Sequence, residues 1–390
     1  MPTYRITPHD LLFFRDGRPL DRNKQDKDHR NIGHGAFWPR PDHLYNAVMH
    51  ALIGTRTAGE RAAHGQFGGL RVTGPYPIRK NEDGSETLYL PRPFDWFCDL
   101  EEIPAGSTDA PAFVKAGFID RKEGKKDLPA WITSDDLKRY LSGTEPETPF
   151  CPKKPLFETE PRIGTTLDPA TGASKRVRDQ TRSGQYEAQY LRLAENVSMW
   201  CAADPGKPGA EIPVTFVMGG QNGLVDCVPD DSLKSLDDLF PQPTVSPDST
   251  KPLFLRWTLL APALFARTGW LPGWCRDTRK DVAERAPDGT VMFPDCAGAR
   301  LVAAFVGKPV VFSGFDMLEG IKETQLAVPA GSCYVFRCET KTAAERLLKR
   351  LHLQRQSDFG PQGFGIGVCS FVDPPRPSVA CSRSPEPEAS

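Results

Sequence analysis

The sequence lacks the features that announce a catalyst, a membrane protein or a freestanding nucleic-acid binder. Its ten cysteines are scattered over 390 residues with no C-x-x-C. The closest pair, Cys333 and Cys338, falls on opposite faces of an alternating strand, which excludes joint metal ligation. There is no G-x-S-x-G nucleophile turn, no H-E-x-x-H zinc motif, no paired-carboxylate motif and no phosphate-binding Gly-Lys-Ser/Thr. No window approaches the ~20 apolar residues of a membrane span. Residues 1–10 carry no apolar run behind a basic start, so no signal peptide is expected and the thiols are expected to be reduced, in the cytoplasm. Positive charge is not in excess: 49 Lys and Arg face 50 Asp and Glu, a formal net charge of −1. Any anionic partner must therefore be met by local patches.

What is present is a loop-rich globular chain. The 38 prolines and 34 glycines point to short strands, and 39% hydrophobic with 25% charged residues is a folding composition. The length allows two domains. Residues 3–14 read as a strand bent at Pro8, followed by a turn at Arg15–Pro19. Pro41–Ile53 reads as a helix with Asp42 as cap, Leu44, Ala47, Val48, Ala51 and Leu52 on one face, and Gly54 as its stop. Residues 70–80 and 86–91 form a hairpin about residues 81–84. Residues 94–181 read as an irregular insertion, after which alternation resumes at 186–200 and two strands flank the glycine turn 219–223. The second half repeats the plan, with strands at 252–260, 300–312 and 332–338. A helix follows with Thr342 and Glu345 as capping box, then a last strand to Val372. Strand, helix and hairpin units of this kind predict an α+β fold of two ferredoxin-like (RRM-like) domains, 1–235 and 251–372, with a disordered tail at 373–390.

Three features carry chemistry. Gln362–Phe371 (QGFGIGVCSF) holds Gly363, Gly365 and Gly367 after a basic helix; glycine backbone can admit a phosphate, or can simply pack tightly. Six of seven histidines lie within the first 64 residues, which leaves a general acid–base role in RNA cleavage open. Residues 15–40 hold seven Lys/Arg against four Asp and end in Phe37 and Trp38; residues 162–182 form a second basic stretch. Cations beside aromatics suit single-stranded nucleic acid, although a charged loop is equally a solvated one.

These same stretches resemble the RAMP superfamily, specifically the third subunit of the Cmr (type III-B) CRISPR RNA-guided effector complex. Residues 12–20 (LFFRDGRPL) resemble its N-terminal signature, 37–52 its entry to the first helix, 217–223 (VMGGQNG) its glycine turn, and 259–270, 306–315 and 328–335 its later blocks. Residues 362–368 resemble the superfamily's C-terminal glycine-rich loop. The resemblance implies a non-catalytic, cofactor-free and metal-free subunit of an antiviral ribonucleoprotein. Such a subunit binds the 5′ repeat-derived tag of the guide RNA (crRNA) and docks with the large polymerase-like subunit and the backbone RAMP subunits, meeting target RNA only indirectly. It further implies RNA contacts from Arg15, Asp16, Arg18, Lys24, Arg30, Arg40, Tyr45, Asn46, Arg162, Lys175, Arg176, Arg178, Gly219, Gly220, Gly223, Gly363, Gly365 and Gly367. The alternative within the superfamily is an endoribonuclease that processes precursor guide RNA through its N-terminal histidines.

Overall fold

The computed structural model describes residues 1–15, 31–33, 35–54, 67–95, 101–102, 115–116, 130–144, 155–165, 171, 185–245, 252–265, 269–276, 288–313, 315–316, 320–321, 323–373 and 376–377. It is sheet-dominated with few helices. Its strands of three or more residues are β1 (Thr3–Pro8), β2 (Asn31–Gly33), β3 (Arg71–Lys80), β4 (Glu86–Pro91), β5 (Trp131–Thr133), β6 (Phe157–Thr165), β7 (Gln185–Leu193) and β8 (Val197–Asp204). They continue as β9 (Thr215–Val217), β10 (Leu224–Pro229), β11 (Leu253–Leu259), β12 (Ala299–Phe305), β13 (Val310–Phe312), β14 (Gln325–Ala327), β15 (Cys333–Cys338) and β16 (Gly367–Val372). The helices are α1 (Pro41–Ile53), α2 (Ser134–Leu141), the single turn α3 (Leu236–Leu239) and α4 (Lys341–Leu351). Among the described residues no helix is long and apolar enough to cross a membrane.

Two antiparallel sheets organise the chain. The first runs β9-β10-β1-β8-β3-β4-β5, the second β16-β11-β15-β12 with Lys115–Ala116 added in parallel beside β12. Within the first, β1, β3, β8 and β10 lie in the order fourth–first–third–second, every neighbour antiparallel; β11, β12, β15 and β16 repeat that order. Among the described residues each half retains one long helix of the expected pair: α1 follows the first strand in one, α4 the third strand in the other.

Local chemistry explains both helices. Pro41 occupies the first turn of α1, where its missing N–H costs nothing, and Gly54 ends it at φ 71° with its N–H bonded to His50 O. The N-cap position is Arg40, not the expected Asp42, which sits inside the first turn. In α4 the cap is Thr340, accepting from the Ala343 N–H, two residues before the expected capping box. The buried stripe Ala344, Leu347, Leu348 and Leu351 is where the spacing puts it.

The cores follow from the sheet faces. One face of the first sheet packs Ile6, Val72, Met199 and Val225 against Leu44, Ala47 and Val48 of α1. Its other face packs Tyr76, Leu88 and Trp200 against α2, α3 and two residues of the second half, Leu260 and Val368. The second sheet buries Leu255, Trp257 and Phe336 against α4. The described cysteines 201, 227, 275, 296, 333, 338 and 369 are free and buried.

The expected irregular insertion contains order the sequence conceals. It supplies β5, α2 and the long strand β6, which pairs with β7 from Phe157↔Leu193 to Thr165↔Gln185. Pro161 argues against a strand by pattern, yet β6 is the edge of the three-stranded sheet β2-β7-β6, where a missing donor is tolerated.

Candidate nucleic-acid interface

The segment after β1 is threaded between two elements by backbone hydrogen bonds. Leu12 exchanges bonds with Leu191 of β7 at 3.0 and 2.7 Å, Gly220 N–H donates to Phe13 O at 2.8 Å, and Arg15 bridges to Gly35. The turn that meets it needs its glycines for this fit. Gly219 has φ +83°, and a Cβ there would lie 2.6 Å from Phe13 O; a Cβ on Gly223 would lie 2.8 Å from Leu12 Cδ2. Gln221 and Asn222, at φ 58° and 55°, stand exposed at the tip. The close approach permitted by Gly219, Gly220 and Gly223 is thus to the chain's own residues 12–14.

Beside this turn lies a pocket of about 360 Å³. His43, Asn46 and His50 of α1 form one wall; Phe216 and Gly219 close the other. His43 stacks on Phe14 with ring centroids 5.0 Å apart, and its Nδ1 accepts the Arg40 N–H at 3.2 Å. Burial lowers its pKa to about 4, against the pull of Asp42 and with a further push from the Arg40 charge. The ring is neutral at pH 7, so His43 offers the pocket a hydrogen-bond edge and not a charge. A largely apolar pocket with a few hydrogen-bonding edges and an aromatic neighbour suits an unstacked base more than a phosphate.

His352 is held neutral in the same way. Its Nε2–H donates to Phe240 O at 2.9 Å and its Nδ1 accepts the Cys369 N–H at 3.1 Å, an arrangement the imidazolium cannot make. Burial lowers its pKa too. Unfolded histidine takes up its proton near pH 6.5, whereas these two do so only lower. Between those values the unfolded state binds more protons, so stability falls as pH falls, by up to about 1.4 kcal/mol per pH unit for each ring. Urea unfolding is expected to be flat from pH 8 to 7 and to weaken steadily below pH 6.5, with a shallower decline in His352→Gln.

The remaining expected contacts separate. Arg40 is 8% exposed, and its guanidinium is committed. It pairs with both Asp42 carboxylate oxygens at 3.0 Å, donates to Val311 O and Ser313 O, and lies 5.3 Å above the Phe312 ring. It braces α1 against β13 and does not present its charge to solvent. Tyr45 is half-buried against the α1 core. Gly363, Gly365 and Gly367 are buried as well: a Cβ would meet Val72 O at 3.0 Å, Ser357 Cβ at 2.3 Å and Trp257 Nε1 at 2.3 Å respectively. Gly363 packs at the junction of the halves, and Gly365 and Gly367 pack within the second half, so burial corrects the expectation that they face a phosphate. Arg162 is exposed on β6, its Nε 3.0 Å from Glu160 Oε1 and its guanidinium 5.8 Å from the Tyr190 ring, which in turn lies 5.4 Å from Phe13. Asp16, Arg18, Lys24, Arg30, Lys175, Arg176 and Arg178 lie outside the described residues.

Of the expected residues, then, Asn46 and Gly219 share one pocket, and Arg15 follows in sequence the Phe14 whose ring stacks on His43. Phe216 escaped the sequence reading, although its place in a short apolar strand before the glycine turn was a usable signal.

Comparison with known proteins places these features in a family. The family described as CRISPR-associated protein (Cas_Cmr3) matches over residues 4–368. No curated protein matches the sequence significantly. Among solved structures, the chain is similar to a chain of the type III-B Cmr-beta complex bound to cognate target RNA, with 14% identity, TM-score 0.48, and 93% of this chain and 95% of that chain covered. A chain of the same complex with target RNA and AMPPnP has 14% identity and TM-score 0.47 over 85% and 86% of the two chains. One in a type III-A Csm3–Csm4 subcomplex has 12% identity and TM-score 0.38 over 87% and 95%.

Proposed function

The chain belongs to the Cas_Cmr3 family of CRISPR-associated proteins, and from that premise we propose that it is the guide-tag-binding subunit of a type III-B effector ribonucleoprotein. The family match from residue 4 to residue 368 carries this reading. In it the chain is a non-catalytic RAMP protein of the cytoplasm, built from two ferredoxin-like domains, 1–235 and 251–372. The repeated fourth–first–third–second strand order supports that division. The protein grips the 5′ repeat-derived tag of the guide RNA and docks with the large polymerase-like subunit and the backbone subunits, which engage target RNA.

The pocket between α1 and the glycine turn receives one tag base: Asn46 supplies an amide to its edge, His50 and the neutral His43 line its side, and Arg15 sits where the adjoining phosphate passes. Arg162 and Tyr190 on the β6–β7 arm, and the basic residues 175, 176 and 178 between its strands, contribute further along the strand.

Purification of the tagged chain from its source, with sequencing of bound RNA and identification of bound proteins, tests this. Small RNAs with one constant 5′ end and a large polymerase-like partner are expected. Asn46→Ala is expected to weaken tag RNA binding about tenfold, the loss of one or two base hydrogen bonds of roughly 1 kcal/mol each. Retention unchanged by Asn46→Ala and Arg15→Ala together would remove the pocket from the site. Repeat cleavage that needs His43 or His50 would return the protein to the nuclease class.

A further inference from the structure

Residues 15–40 end in two aromatics, and the fold separates them. Trp38 turns inward: its Nε1–H donates to Pro75 O at 2.8 Å, and its ring lies 5.4 Å from Trp131 and 5.2 Å from Phe157. Phe37 turns outward and is 76% exposed, more than any other large apolar side chain among the described residues. A ring left in water forgoes the burial that its neighbour gains.

The backbone holds Phe37 in that position from both sides. Before it, Ala36 N–H donates to Phe14 O at 2.6 Å and Gly35 bridges Arg15. Gly35 passes so close to β7 that a Cβ on it would lie 2.1 Å from Gln189 O. After it, Trp38 is anchored and Pro39 and Arg40 are buried. The same contacts set Phe37 beside the α1 pocket, because Phe14, which accepts from Ala36, stacks on His43 in the wall of that pocket.

We propose that Phe37 is a stacking platform for a base of the bound single strand, next along from the base in the α1 pocket. A single exposed ring on a fixed backbone is what such stacking requires, since every base has a π-face and the contact needs no hydrogen bond. A protein interface is built instead on a contiguous apolar core. Phe37 has none around it: it is the only large apolar side chain exposed on residues 35–54. Ile163, the next most exposed, lies six residues along β6 from the Phe157 ring that Trp38 touches, roughly 20 Å away at the rise of a strand. The inference rests on the reading of the chain as the guide-tag-binding subunit, and it adds a contact that senses the presence of a base and not its identity.

The test uses the assembly reconstituted from its full-length subunits on RNA with the constant 5′ end of the co-purified small RNAs. Phe37→Ala is expected to weaken RNA binding roughly tenfold, within the range of one base–aromatic stack. Phe37→Trp is expected to hold or tighten binding, and Phe37→Leu, apolar but without a π-face, to lose nearly as much as alanine. An abasic nucleotide at one tag position is expected to bring the wild type and Phe37→Ala to the same affinity, since both then lack the stack. The thermal melts of the variants are expected to match the wild type, because the side chain is exposed. Binding unchanged by Phe37→Ala, or kept by Phe37→Leu, overturns the proposal. Loss of a protein subunit from the Phe37→Ala assembly with RNA binding intact overturns it in favour of a protein contact. A wild-type assembly that takes up no such RNA defeats the underlying reading instead, whatever the residue at position 37.

Discussion

Asp95→Ala is expected to lower the unfolding free energy by about 3–5 kcal/mol, among the largest losses any single side chain here can cause. Asp95 is 3% exposed and Arg256 is 5% exposed, and they meet at 3.4 Å where the second sheet faces α2. The carboxylate also accepts from the Tyr140 hydroxyl and, at 3.0 Å, from the Cys333 thiol. The guanidinium donates to Tyr140 O at 2.9 Å and Ser370 Oγ at 3.2 Å and lies 3.7 Å above the Tyr140 ring. Burial pushes the Tyr140 hydroxyl well above its ordinary pKa, so it stays a donor at any working pH. Removing Asp95 leaves a guanidinium in the interior without its counter-charge, which costs far more than the pair contributes. Asp95→Leu with Arg256→Met removes both charges and is expected to recover most of the loss. A double-mutant cycle in urea checks this; additive losses would mean that the two side chains act independently.

Gly365→Ala is expected to cost about 3 kcal/mol or more, from a left-handed backbone strain of roughly 1–2 kcal/mol plus overpacking of at least as much. The residue has φ +68°, and a Cβ would come 2.3 Å from Ser357 Cβ and 2.9 Å from the Gln356 backbone, neither of which is the free end of a side chain. Gly269→Ala provides the control. It has φ +72° with nothing within 4 Å of the new methyl, so it bears the strain alone and is expected to lose about 1–2 kcal/mol. Equal losses at the two sites would show that the Ser357 contact relaxes freely.

How much could be read in advance depended on whether the deciding neighbour was close in sequence. The helix Pro41–Ile53 and the hairpin of β3 and β4 were legible because apolar spacing, Pro41, Gly54 and the turn at 81–84 are all local signals. Strand β6 was not, because Pro161 disqualifies a central strand and nothing nearby says that β6 is an edge. In the glycine-rich stretch, sequence reveals that something approaches the backbone but not what. At Gly363 it is Val72 and Pro41, nearly the length of the chain away. Arg40 was expected to contact RNA from the end of a charged loop; the carboxylate that pairs it is only two residues on, but the Phe312 ring beneath it is not. Asn46 and Gly219 were each singled out, yet only the packing of α1 against β9 made them one pocket.

The place of Leu260 and Val368 in the core beneath the first sheet bears on how the protein is made. Translation delivers β1 through β10 first, with the α1 face able to close at once around Leu44 and Val48. The opposite face, with Tyr76, Leu88 and Trp200, gains Leu260 soon after β10 but receives Val368 only more than a hundred positions after β10 begins. Throughout that interval a nascent chain holds this core with α2 and α3 in place and the Val368 side chain still missing. Premature termination before Val368 therefore leaves this core of the first half one side chain short.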